Sequence, residues 1–354
     1  MSVPDKGLGQ LGDGLLFSAV VVYALAMLGF AGEQASRKAR RSVTAVRAST
    51  KVLVGSGPSV TLPAETITTL SPSRAGRFAL ALTGLGWLVH LSSITARGFA
   101  AHRVPWGNMY EFSSCVAFVA VSAFPVLVFR GYVERSLGAF VMLPVVLYLG
   151  LAATKLYTAA GPLVPALNSY WIKIHVAAAV TASGAFLLSG VVALLYLLRS
   201  RYDELVAAGR SARFPVSLGA QLPQAPVLDR VSYVVIAFAF PVWTFAVLIT
   251  GPIWAHQAWS SFWNWDPKEV WAFITWVVYA GYLHARATAG WRGRRAAMLA
   301  LVGMATLWFN FIGINYFSTT SQHSYAGLEA PRVPGASSTP LGVPSGVPPG
   351  VSVP

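Results

Sequence analysis

Eight apolar runs, each about as long as a helix needs to cross a bilayer, recur along this chain. They lie near 14–32, 78–96, 112–129, 137–154, 172–198, 231–250, 270–285 and 296–314. A hydrocarbon core about 30 Å thick takes about 20 residues of helix, and a backbone inside it must satisfy its own hydrogen bonds. The expected fold is therefore all-α: a polytopic membrane helical bundle of about eight transmembrane helices. With 55% of residues hydrophobic and 11% charged, no stretch is left for a soluble catalytic domain.

The net charge of +14 would point to nucleic acid in a soluble protein, but here its distribution reads as topology. Segments 33–77, 130–137, 199–230 and 285–296 hold 19 of the 26 Lys and Arg residues, which places them on the cytoplasmic side. Both termini and the loop between the sixth and seventh runs are then extracytoplasmic. The partner of this basic surface is the lipid bilayer, with no nucleic acid. No small-residue cleavage site follows the first run, so it reads as a retained helix. Arg outnumbers Lys by 20 to 6 with abundant Ala, Gly and Val, which suits a bacterial plasma membrane.

The resulting plan has a short external N-terminus and first span in 1–32, a basic, flexible cytoplasmic loop in 33–77, a transmembrane core in 78–330, and a disordered Pro/Gly-rich external tail in 331–354. Cys115, the only cysteine, lies in an apolar run, so disulfides, CxxC redox chemistry and covalent haem attachment to this chain are excluded.

Within the core, 251–271 is unusual. Six of twelve tryptophans fall between Trp254 and Trp276, and the centre reads WSSFWNWDPKEVW. A single interfacial Trp needs no explanation, but Trp254, Trp259, Trp263, Trp265 and Trp271 in one loop suggest an aromatic platform for a large planar ligand. Asp266, Pro267 and Glu269 suit N-cap, N1 and N3 of the next helix, which explains them as capping residues. The same geometry would favour a ligand carboxylate, with Lys268 adding to the field.

Histidines are the candidate metal ligands. His175 lies near the outer end of the fifth run with Ala178, Ala179, Ala182 and Ser183 on its helical face, leaving room for a bulky group. His323 follows the eighth run on the same side. Two imidazoles beside an aromatic surface are a standard haem-holding arrangement. His284 sits near the inner end of the seventh run, with Ala280 and Gly281 a turn back. His90 is a candidate partner for it, but their depths differ by roughly 10 Å, so an imidazole from another subunit suits His284 better. His102 and His256 are outside and could line the outer pocket.

GPIWAHQ followed by WSSFWNWDPKEVWAFITWVVYAGYLHAR resembles the WWD signature of the haem-handling proteins of cytochrome c biogenesis, and among them the CcsA/ResC subunit of the system II cytochrome c synthase. The resemblance runs from about His90 through VPWGNMYEF to His323. It implies that haem b is the cargo, that His175 and His323 are axial ligands of an external haem, and that His284 helps ligate a haem in transit. The platform would be Trp254, Trp259, Trp263, Trp265, Asp266 and Trp271. It also implies a ResB-like membrane subunit, apocytochrome c and thioredoxin-like thiol reductants as partners. The chain would then be a subunit of a haem lyase-type complex that supplies no nucleophile of its own. Ser260 stands where that family commonly has Gly, and His256 is not an expected histidine of it. The alternative is a b-type haem electron-transfer subunit, which would want paired histidines at matched depths.

Overall fold

The computed structural model describes residues 4–52, 74–162 and 168–317, and among them there is no strand. The elements are α1 (Lys6–Val52), α2 (Arg74–Ala100), α3 (Met109–Phe129), α4 (Gly138–Lys155), α5 (Tyr170–Ala207), α6 (Ala225–Thr244), α7 (Gly251–Trp259), α8 (Pro267–Thr288), α9 (Arg294–Trp308) and α10 (Ile314–Phe317). Two π-helical turns, Phe245–Thr250 and Phe309–Gly313, join α6 to α7 and α9 to α10. All eight apolar runs fall on helices. Among the described residues seven rods are long and apolar enough to cross a membrane, while α8, with 22 residues, has the length but carries polar residues at both ends.

α5 is the central post. It packs against α3, α4, α6, α7 and α9, while α1 lies along α2 and α4, and α8 lies against α6 and α9. The reason is written in its side chains: from Ala179 to Ala193 nearly every residue is buried, and many are Ala, Gly or Ser, which let neighbouring backbones approach closely. Larger residues such as Phe186, stacked on Tyr279 of α8 at 3.7 Å between ring centres, fill the gaps. By contrast α1 and α2 turn Phe17, Leu28, Phe78 and Leu88 outward, as lipid-facing helices do.

The helices depart from the expected boundaries in two places. α1 continues to Val52, so the helix runs on into the first part of the 33–77 segment, which is rich in Ala, Arg and Lys. α6, the π turn and α7 form one continuous rod of 35 residues, Ala225–Trp259. The tryptophan segment therefore begins on a helix, and only residues 260–266 form a loop. The 331–354 tail lies outside the described residues.

Candidate functional site

The tryptophan segment roofs a cavity of about 240 Å³ at one end of the bundle. Its walls come from α5, the α6–α7 rod, the start of α8, the 309–313 turn and the segment leading into α3. His175, in the second turn of α5, lines it together with Ala179 and Ser183, one and two turns further on. Ala182 turns instead into the core.

The π turn orients His175. The carbonyl of Ala246 accepts from the Gly251 N–H, the Thr250 hydroxyl and, at 2.9 Å, His175 Nδ1. A carbonyl can only accept, so Nδ1 is the donor; in the neutral ring this leaves the lone pair on Nε2, the tautomer of a metal-ligating histidine. Gly251 suits this close approach: a Cβ there would stand 3.2 Å from two ring atoms of His175 and 3.1 Å from the Ala246 oxygen, so the imidazole would have to give by a few tenths of an ångström. Trp254, one turn along α7 and only 2% exposed, stacks on the imidazole at 6.1 Å and 16°.

The other tryptophans divide. Trp263 lines the cavity, Trp259 meets the Trp254 ring edge-on at 4.7 Å, and Trp265 stands 77% exposed against the edge of Trp263. Trp271 does not line the cavity; it packs on Phe309 at 4.2 Å. The loop is bounded by two non-glycine residues in the left-handed region, Ser260 (φ 58°) and Trp265 (φ 56°). Ser260 thus does occupy a position of positive φ, where a β-carbon costs energy.

Asp266 is buried and caps α8: its carboxylate accepts from the Lys268 N–H at 2.9 Å, and Glu269 accepts from the Asn264 and Asp266 N–H groups at 2.9 and 3.2 Å, a reciprocal capping box. Lys268 and Glu269 line the cavity. Lys268 lies in the first turn, ahead of the apolar stretch 270–285; burial pulls its ammonium down to about 8, against the opposing pull of the Asp266 carboxylate.

The remaining histidines are dispersed. His90 is fully buried, with Nδ1 3.3 Å from the Tyr23 hydroxyl and Nε2 2.9 Å from the Ser114 hydroxyl, so both ring nitrogens are engaged within the bundle. It is not brought to His284, which is exposed near the far end of α8. His256 is exposed and stacked on Phe262 at 4.3 Å; His102 is exposed in a turn. Neither lines the cavity. His323 lies outside the described residues.

Several cavity residues had no role in the sequence reading: Trp106, Phe112, Trp308, Asn310 and Phe311. Asn310, on the second π turn, has a buried Oδ1 without a hydrogen-bond partner. The wall containing Trp106 and Phe112 is anchored by charge. Glu111, in the first turn of α3, accepts from Arg97 at 3.2 Å, from Arg103 at 2.7 and 3.2 Å and from the Gly107 N–H at 2.9 Å. Arg97 also pairs with Asp13 of α1 and bonds the Thr158 carbonyl, while Arg103 bonds the Gly161 carbonyl. A readable signal existed: an acid opening an apolar run needs a cation, and Arg97 and Arg103 close the preceding one.

A family model described as cytochrome C assembly protein matches residues 106–321, the stretch that contains the cavity. Among its relatives, the cytochrome c biogenesis protein CcsA of Gloeobacter violaceus is 31% identical over 296 residues, covering 70% of this chain and 84% of the relative. The proteins of that name from Mesostigma viride and Synechococcus elongatus are 31% and 34% identical, covering 66% and 65% of this chain and 80% and 81% of theirs. The match spans the helical core, the aromatic cavity and His175 alike, and the chain belongs to the cytochrome c assembly family, as a multi-pass helical membrane protein of the CcsA type with a role in cytochrome c biogenesis.

Proposed function

We propose that the chain binds haem b as cargo, helps deliver it from the cytoplasmic to the outer side of a bacterial plasma membrane, and presents it there for thioether attachment to the CxxCH motif of apocytochrome c. The observation that carries this reading is the His175 imidazole, held through Nδ1 by the Ala246 carbonyl at 2.9 Å and stacked on Trp254 in an aromatic cavity. A planar apolar macrocycle needs such walls, and its iron needs a neutral imidazole nitrogen. The cavity of about 240 Å³ is smaller than the ~300–1,000 Å³ of pockets that enclose drug-sized ligands. It suits a site that grips part of a macrocycle and leaves an edge accessible to incoming thiols.

His323 is the second axial ligand in this reading, and Lys268 draws a propionate toward the start of α8. The thiols of apocytochrome c are the nucleophiles; thioredoxin-like reductants keep them reduced. His284, exposed on α8, takes its second haem ligand from a ResB-like membrane subunit. The b-type electron-transfer alternative gains nothing from the geometry, because His90, its intramolecular partner for His284, is engaged with Tyr23 and Ser114.

The test is haem retention with and without imidazole. His175→Ala and His323→Ala, purified with the partner subunit, should lose the haem spectrum of the wild-type protein and abolish c-type cytochrome assembly, and added imidazole should restore much of the spectrum. Normal holocytochrome levels in both variants would overturn the assignment.

A further inference from the structure

At the end of the bundle opposite the tryptophan cavity, a second cleft of about 690 Å³ opens between α5, α6, the end of α8 and the turn into α9. One wall is fixed. Arg286 grips Asp229 through bonds of 2.9 and 2.6 Å, the Gly293 N–H donates to the same carboxylate at 3.1 Å, and the Arg286 guanidinium lies 4.6 Å over the ring of Tyr233. Asp229 is the acid that lines the cleft, and its charge is already met by Arg286. Arg230 and Arg292, which also line it, are exposed and make no ion pair with any described residue. The cleft therefore carries two guanidinium groups in excess, on a frame whose geometry does not depend on them.

Guanidinium groups match phosphate oxygens with paired N–H donors, so the chemistry favoured here is that of a phosphate anion. The surroundings place that phosphate at a lipid interface. Tyr233 is 38% exposed beside the cleft, and Trp291, 37% exposed in the adjoining turn, sits 5.9 Å from Arg295. Aromatic rings and arginines in one band mark the headgroup level of a bilayer. From this band, exposed apolar residues lead away along α6 and α8: Phe238 and Val277. A soluble phosphate would meet the arginines alone, whereas a phospholipid held by them would lay an acyl chain along this face.

We infer that this cleft binds the headgroup phosphate of an acidic phospholipid, with Arg230 and Arg292 on the phosphate oxygens and an acyl chain along the exposed face of α6. Basic pockets between transmembrane helices are suited to such headgroups. The site is separate from the tryptophan cavity and does not depend on the haem reading.

The test uses the full chain in detergent, exposed to phosphatidylglycerol, phosphatidylcholine or inorganic phosphate, with bound lipid counted by native mass spectrometry. Wild type should retain phosphatidylglycerol in preference to phosphatidylcholine. Arg230→Gln with Arg292→Gln, which spares the Arg286–Asp229 pair, should weaken that retention about 30-fold. Arg230→Lys with Arg292→Lys, which keeps the charge and so guards against a folding defect in the first variant, should hold phosphatidylglycerol at an intermediate level. Equal retention by wild type and the Gln variant, or no preference between the two lipids, would overturn the site. Displacement of the lipid by inorganic phosphate would overturn the lipid assignment.

Discussion

At the scale of single residues, most of the chemistry turns on how a few side chains are held. Ser260 accepts a left-handed conformation that costs a β-carbon residue roughly 1–2 kcal/mol. Ser260→Gly should therefore raise stability by about 0.5–1 kcal/mol after the added freedom of the unfolded chain is deducted, read as a higher apparent midpoint of thermal unfolding in detergent. Lys268 gives a pH signature. Its ammonium, pulled down to about 8 and flanked by Asp266 and Glu269, loses its charge as pH rises through that value. Retention of a haem bearing free propionates should fall as pH passes about 8. It should stay level in Lys268→Arg, whose guanidinium remains protonated, and haem dimethyl ester should show no such fall. The residues that sequence could not assign were those whose role depends on contact. Trp271 reads like its neighbours yet packs on Phe309, and His90 reads as a ligand yet is held by two hydroxyls from other helices.

At the scale of elements, the helices could be read because a bilayer demands them. Each apolar run corresponds to a helix that extends past it at one end or both, since the polar ends of a helix carry no hydropathy signal. That is also why the extension of the sixth run to Trp259 was hidden. The two π turns were hidden for another reason: the choice between i+4 and i+5 bonding depends on tertiary neighbours, and at the first turn His175 shares the Ala246 carbonyl with the Gly251 N–H. The segment before α3 shows how charge fixes an irregular stretch. The Arg97 and Glu111 side chains are 3% and 1% exposed, so removing the carboxylate leaves two guanidinium groups poorly matched in a dry site. Glu111→Ala should cost about 3–5 kcal/mol and free the 101–108 segment, seen as new protease cleavage there. Haem retention should fall with it, because Trp106 and Phe112 form a wall of the cavity.

At the scale of the molecule, the charge asymmetry predicts which end faces which compartment. Cys115 is the only cysteine and is buried, so single added cysteines give a clean report. In intact cells, a membrane-impermeant maleimide should label Ser261→Cys, in the tryptophan loop, and should label Ala208→Cys, in the arginine-rich turn after α5, only after the membrane is opened. The reverse pattern would invert the direction of haem delivery. The division of the molecule into an aromatic end and an arginine-rich end was visible in the sequence; the way one rod joins them was not. A π turn holds one residue more than the α-helical turn it replaces, and one residue is about 100° of rotation about the axis. Everything beyond Thr250 is thereby phase-shifted relative to α6. The indole of Trp254 faces His175, and the chain enters the loop on the cavity side, because that single extra residue has been wound into the rod.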